Sequence, residues 1–135
     1  MAESIGQIAR FGLAGLVNTA IGFAVVVVLD PVLGLSPPLA NAAGYAVGIS
    51  VGFVLNRGFV FRSRSGLPAA GLRYLTAAAG AFVLNQIVLR LAGAALGGGS
   101  AQHVAAQLMA MAVYSVALFF LCRLWVFRPQ ADSPA

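Results

Sequence analysis

The sequence has no lysine, only three acidic residues, and single copies of histidine, cysteine and tryptophan. Each shortage excludes a class of chemistry. One cysteine cannot close a disulfide within the chain. A lone His103 and a lone Cys122, with acids only at Glu3, Asp30 and Asp132, offer no clustered metal ligands and no paired carboxylates for acid–base work. The Gly97-Gly98-Gly99 run follows no strand, so it reads as a turn between helices and not as a phosphate-cradling loop. No enzyme activity, cofactor or metal is expected. Charged residues make up 8% of the chain, against about 25% in ordinary soluble domains. A soluble fold could not cover its surface with so few polar side chains, and a disordered chain would not carry so much apolar material.

What is present in quantity is apolar sequence, 61% of 135 residues, together with sixteen glycines. An all-α integral membrane protein follows, with about 20 apolar residues needed per transmembrane helix. Four segments qualify: Phe11 to Leu29, ending at Asp30-Pro31; Leu39 to Leu55, opened by Ser36-Pro37-Pro38 and carried on to Phe61; Leu72 to Leu96; and Gln102 to Phe127, closed by Pro129. The first segment is too long for a signal-peptide core, and Asp30-Pro31 makes a poor cleavage site, so it is kept as a span. Residues 129–135 read as a disordered tail of a single membrane domain.

Arginine sets the expected orientation. Arg10, Arg57, Arg62, Arg64, Arg73, Arg123 and Arg128 all fall at one end of the spans, which places that end and both termini in the cytoplasm. The net charge of +5 is accounted for by this topology and is no nucleic-acid footprint. Arg62-Ser63-Arg64 can touch anionic headgroups.

The second and fourth segments end alike. Asn56-Arg57-Gly58-Phe59-Val60-Phe61-Arg62 stands beside Cys122-Arg123-Leu124-Trp125-Val126-Phe127-Arg128 at an offset of 66, which also pairs Asn41 with Gln107. Arg10-Phe11 matches Arg73-Tyr74 at an offset of 63. The expectation is two tandem parallel two-helix repeats, about 10–62 and about 73–128. The arginines and aromatics of the shared ending also suit an interfacial anchor.

The intramembrane polar residues are the candidate substrate-binding set: Asn18, Asn41, Asn56, Arg57, Asn85, Gln86, Arg90, Gln107 and Arg123. Amides and guanidinium groups can bind an anionic or hydroxyl-bearing ligand. Asn18 lies about 12 Å past Arg10 and Asn85 about 18 Å past Arg73 if helical. Gln86 and Arg90 share a helix face, and Arg90 is the one arginine topology does not explain. Gly44, Gly48 and Gly52, with Ala40 before them, form a small-residue ridge suited to close helix packing. The partner of that ridge can be another span or a second subunit.

These features resemble the GtrA-like family. The match rests on Arg10-Phe11 before Asn18-Thr19, on Pro38-Leu39-Ala40-Asn41, and above all on Phe53-Val54-Leu55-Asn56-Arg57-Gly58-Phe59-Val60-Phe61, echoed by Arg123-Leu124-Trp125-Val126-Phe127. Cys122 departs from its counterpart Asn56. The resemblance implies a small four-span protein of cell-envelope polysaccharide synthesis in the bacterial cytoplasmic membrane. It implies flipping of a polyprenyl-phosphate-linked sugar between leaflets, or else a non-transporting membrane partner that recruits or anchors a glycosyltransferase. The implied partners are membrane lipid, the polyprenyl-phosphate sugar, a membrane glycosyltransferase and a second copy of the chain; nucleic acid is not among them. A small-solute exporter would fit the size, but the spans offer no carboxylate to couple protons.

Overall fold

The computed structural model describes residues 1–28, 34 and 37–128, with only the backbone of 26, 37, 38 and 40–42. The described residues form four α-helices: α1 (Ala2–Val27), α2 (Pro37–Leu55), α3 (Leu67–Leu96) and α4 (Ser100–Leu121). All four are long and apolar enough to cross a membrane. The chain is a multi-pass membrane protein. The expected stop at Asp30-Pro31, the Ser36 cap and the tail at 129–135 lie outside the described residues.

Two helices start earlier than hydropathy suggests. α1 begins at Ala2, nine residues before the expected span, because Glu3 and Gln7 suit a helix while lowering its hydropathy. Glu3 also lies in the first turn, where a negative charge complements the helix dipole. α3 begins at Leu67, with Pro68 in a first turn that has no use for its missing N–H. It ends at Gly97, whose φ of 87° and ψ of −178° belong to a region open essentially to glycine alone.

The chain divides into two compact units, Met1–Arg64 and Ser65–Ala135. The first is a hairpin of α1 on α2, and the second a hairpin of α3 on α4. In hairpin two, Ala70, Tyr74, Ala77, Ala78 and Ala81 put one face of α3 into the core. Ala106, Ala110, Leu118 and Phe119 do the same for α4. Alanine at these positions lets backbones approach, and in lipid such van der Waals packing drives helix association.

Both hairpins end in a π-helical turn, Asn56–Val60 after α2 and Cys122–Val126 after α4. Each is closed by the same bond 66 residues apart: Phe61 N–H to the Asn56 carbonyl at 2.9 Å, and Phe127 N–H to the Cys122 carbonyl at 2.9 Å. Burial follows the same offset. Gly44 and Ala110, Gly52 and Leu118, Asn56 and Cys122, and Val60 and Val126 are buried, while Tyr45 and Met111, Val54 and Phe120, and Phe59 and Trp125 are exposed. The turns end differently. Arg62 adopts a φ of 48°, and Ser63 N–H reaches the Arg57 carbonyl at 2.8 Å. The residue 66 further on is Pro129, which has no N–H to give.

Candidate functional site

The seam of hairpin one is built from two ridges with four-residue spacing. Arg10, Ala14, Asn18 and Gly22 line up on α1, and Gly44, Gly48, Gly52 and Asn56 on α2 and its turn. A Cβ on Gly22 would lie 3.9 Å from the Gly44 carbonyl, and one on Gly48 would lie 3.9 Å from Asn18 Nδ2. These two contacts define an antiparallel register in which each step up α1 matches one down α2. Continued, the register sets Ala14 level with Gly52, both buried, and Arg10 level with Asn56. α1 does pack against the π-turn that carries Asn56 and Arg57.

The polar groups along this seam are of two kinds. Asn56 is 5% exposed and donates from Nδ2 to the Gly52 carbonyl at 2.8 Å. Asn18 and Arg10 are half-buried, yet Asn18 Oδ1 and Arg10 Nε are atoms closed to solvent that make no hydrogen bond. Span hydroxyls elsewhere behave differently. Ser50, Thr76 and Ser115 each donate to the carbonyl four residues earlier, at 2.8, 2.9 and 3.0 Å, which settles a hydroxyl on a helix without outside help. A buried polar atom lacking such a bond costs stability unless a ligand or water supplies the partner.

The other candidates are more scattered. Arg57, which follows Asn56 in the turn, is half-buried. On α3, Asn85 and Gln86 are half-buried and Arg90 is exposed near the far end of the helix. Gln107 on α4 is exposed, and Arg123 is half-buried in the second π-turn. Asn41 lies in α2, and its side chain is outside the described residues. His103 is exposed. Cys122 is fully buried as a free thiol. Among the described residues, no cluster of His, Cys, Asp or Glu could hold a metal ion.

Sequence alone uses Arg10 for orientation, for the repeat and for the family resemblance, and leaves it out of the binding set. The missed signal is its spacing, because Arg10, Ala14, Asn18 and Gly22 repeat every four residues as the α2 ridge does.

Comparison with known proteins decides the family. The family model of the GtrA/DPMS transmembrane domain matches residues 10–127, which takes in both hairpins and both π-turns. The chain belongs to the GtrA/DPMS transmembrane-domain family. Membership of the GtrA/DPMS family points to a role in membrane polysaccharide or glycolipid synthesis. No curated protein and no solved structure matches the chain.

Proposed function

We propose that this GtrA/DPMS protein translocates a polyprenyl-phosphate-linked sugar across the bacterial cytoplasmic membrane, for synthesis or modification of a cell-surface polysaccharide. In this reading the hairpins are tandem parallel repeats, and both termini are cytoplasmic. The observation that carries the proposal is the polar load of hairpin one, where Arg10 Nε and Asn18 Oδ1 are shielded from solvent without hydrogen bonds in a helix long and apolar enough to cross the membrane. An intramembrane polar group without an internal partner is expensive, and such groups mark substrate pathways. Here the free valences are one N–H donor and one acceptor, the complements of a phosphate oxygen and a sugar hydroxyl.

The prenyl tail stays in lipid, against exposed apolar side chains such as Leu13, Leu16, Phe23 and Val54. Only the headgroup needs shielding. The sequence carries neither a phosphate loop nor an intramembrane acid in the spans read from it, so movement is downhill and is drawn outward as the sugar is consumed. A membrane glycosyltransferase is the partner that would consume it.

The test is leaflet-resolved translocation of a fluorescent polyprenyl-phosphate hexose in liposomes. Reconstituted protein is expected to raise the rate at least tenfold over empty vesicles. Folded protein that gives no rise would rule out autonomous transport and leave the glycosyltransferase-anchoring role.

A further inference from the structure

Positions that correspond between the two hairpins differ in chemistry along one line. In hairpin one the α2 ridge reads Gly44, Gly48, Gly52 and Asn56, whereas the residues 66 further on are Ala110, Tyr114, Leu118 and Cys122. On the opposing helix Asn18 is replaced, 63 residues on, by Ala81, which is 1% exposed. Hairpin two thus fills its seam with Leu118, Phe119 and alanines, and its second π-turn is closed over by Phe127, whose ring centroid lies 6.3 Å from that of Tyr74. Where hairpin two has Ala81, Ala110 and Leu118, hairpin one has Asn18, Gly44 and Gly52, while Tyr74, Phe119 and Phe127 have aromatic counterparts in Phe11, Phe53 and Phe61. The two solvent-shielded side-chain atoms described above, Arg10 Nε and Asn18 Oδ1, both lie in hairpin one.

We propose that the seam between α1 and α2 alone takes the polar headgroup, with Arg10 meeting an anionic phosphate oxygen at the rim and Asn18 a sugar hydroxyl two helical turns deeper. This rests on the transport reading and sharpens it, since the α3–α4 seam becomes scaffold. Charge supports the rim assignment. Glu3, the only acid among the described residues, is exposed and lies seven residues before Arg10, about 10 Å along the helix. Among the described residues no acid stands within reach of Arg10, which leaves its guanidinium open to an anion supplied by the headgroup. Depth supports the second contact. Eight residues separate Arg10 from Asn18, about 12 Å of rise, with only Ala14 and Gly52 on the ridges between them. A headgroup moving inward along that line meets the phosphate contact first and the hydroxyl contact second. Gly48 faces Asn18 across the seam, where even an added Cβ would stand at van der Waals distance from the amide.

Native mass spectrometry of the detergent-solubilised full chain tests this with three probes: bare polyprenyl phosphate, polyprenyl phosphate carrying one hexose, and phosphatidylglycerol. Wild type is expected to retain both polyprenyl lipids at least tenfold over phosphatidylglycerol. Arg10→Gln is expected to lower retention of both polyprenyl lipids about tenfold, with Arg10→Lys recovering part of it. Asn18→Ala is expected to erase the preference for the hexose-bearing lipid while leaving the bare one within twofold. Arg73→Gln, the matching change in hairpin two, is expected to stay within twofold of wild type. Unchanged helicity by circular dichroism separates these effects from misfolding. Equal losses in Arg10→Gln and Arg73→Gln, or no loss in either, would overturn the one-seam assignment and leave transport standing. Equal retention of phosphatidylglycerol would make the rim a general phospholipid contact and overturn it as well. Wild type that retains none of the probes would bring down the transport reading itself.

Discussion

Hairpins one and two share a backbone plan and differ in what they do with it. Both bury the same faces, and both finish on a π-turn closed by the same 2.9 Å bond. Yet at matching seam positions one hairpin has Asn18, Gly44 and Gly52 and the other Ala81, Ala110 and Leu118. A common scaffold can thus be tuned either for packing or for keeping polar atoms inside a membrane. Packing energy accrues from contacts on all sides of a side chain, so Leu118 and Phe119 anchor hairpin two. Hairpin one gives up part of that energy at Gly44, Gly48 and Gly52, and in the proposed reading it is the half that adjusts around a headgroup.

The most damaging way to break the comparison is to exchange the seams. Leu118→Gly should destabilise the protein by about 3 kcal/mol, through a residual cavity plus the helix cost of glycine. Gly52→Leu should cost about 2 kcal/mol by wedging α1 from α2. Denaturant titration in micelles, followed by circular dichroism, reads both. If Gly52→Leu is neutral, the hairpin-one seam is not tightly apposed at that level.

A second contrast lies at the far ends of the hairpins. Gly97 occupies a glycine-only region, and a Cβ added there would meet open space, so Gly97→Ala should cost about 2 kcal/mol from backbone strain alone. Gly34 has a φ of 67°, a value asparagine adopts more readily than other residues, and Gly34→Asn should change stability by less than about 0.5 kcal/mol. Thermal melts of the two variants in parallel check the ranking, and comparable losses would contradict it.

The third test concerns the first residue of each π-turn. Asn56→Cys removes the bond from Nδ2 to the Gly52 carbonyl and should cost about 1 kcal/mol. Cys122→Asn has the Leu118 carbonyl four residues back as an equivalent acceptor, but it must fit an amide into a fully buried position, so a cost near ~1.5 kcal/mol is expected. The lone Cys122 thiol also gives a direct readout, because maleimide should label wild type only as the hairpin opens. A gain in place of a loss belongs to Arg62, a non-glycine residue at positive φ. Arg62→Asn should raise stability by about 0.5 kcal/mol, since asparagine tolerates that region better.

Much of the fold was legible because hydropathy reports the membrane directly. The four spans, the glycine stop after α3 and the shared endings all follow from residue type. The extra turns of α1 were not legible that way, since Glu3 and Gln7 favour helix but not lipid. The π-turns carry no composition signal of their own; only the likeness of two distant endings hinted that something local was shared. For the candidate site, residue chemistry was legible and grouping was not. Arg90 looked exceptional along the chain yet is exposed on α3, whereas Arg10, explained away by topology, has its Nε shielded from solvent without a hydrogen bond. Periodicity reports which residues share a helix face, and pairing of faces depends on packing in three dimensions.

The π-turns have a further consequence for how the chain tolerates change in length. An α-helix has no slack: removing one residue from the middle of α2 would rotate everything beyond it by about 100° and carry Asn56 off the seam. A turn that already spans five residues per hydrogen-bonded step has one residue to spare. Deleting Gly58, which is exposed and has open space around it, would let that turn close to ordinary helical pitch while every residue before it keeps its face. The ends of the two hairpins are therefore the places where this membrane chain can be shortened by one residue without losing its register.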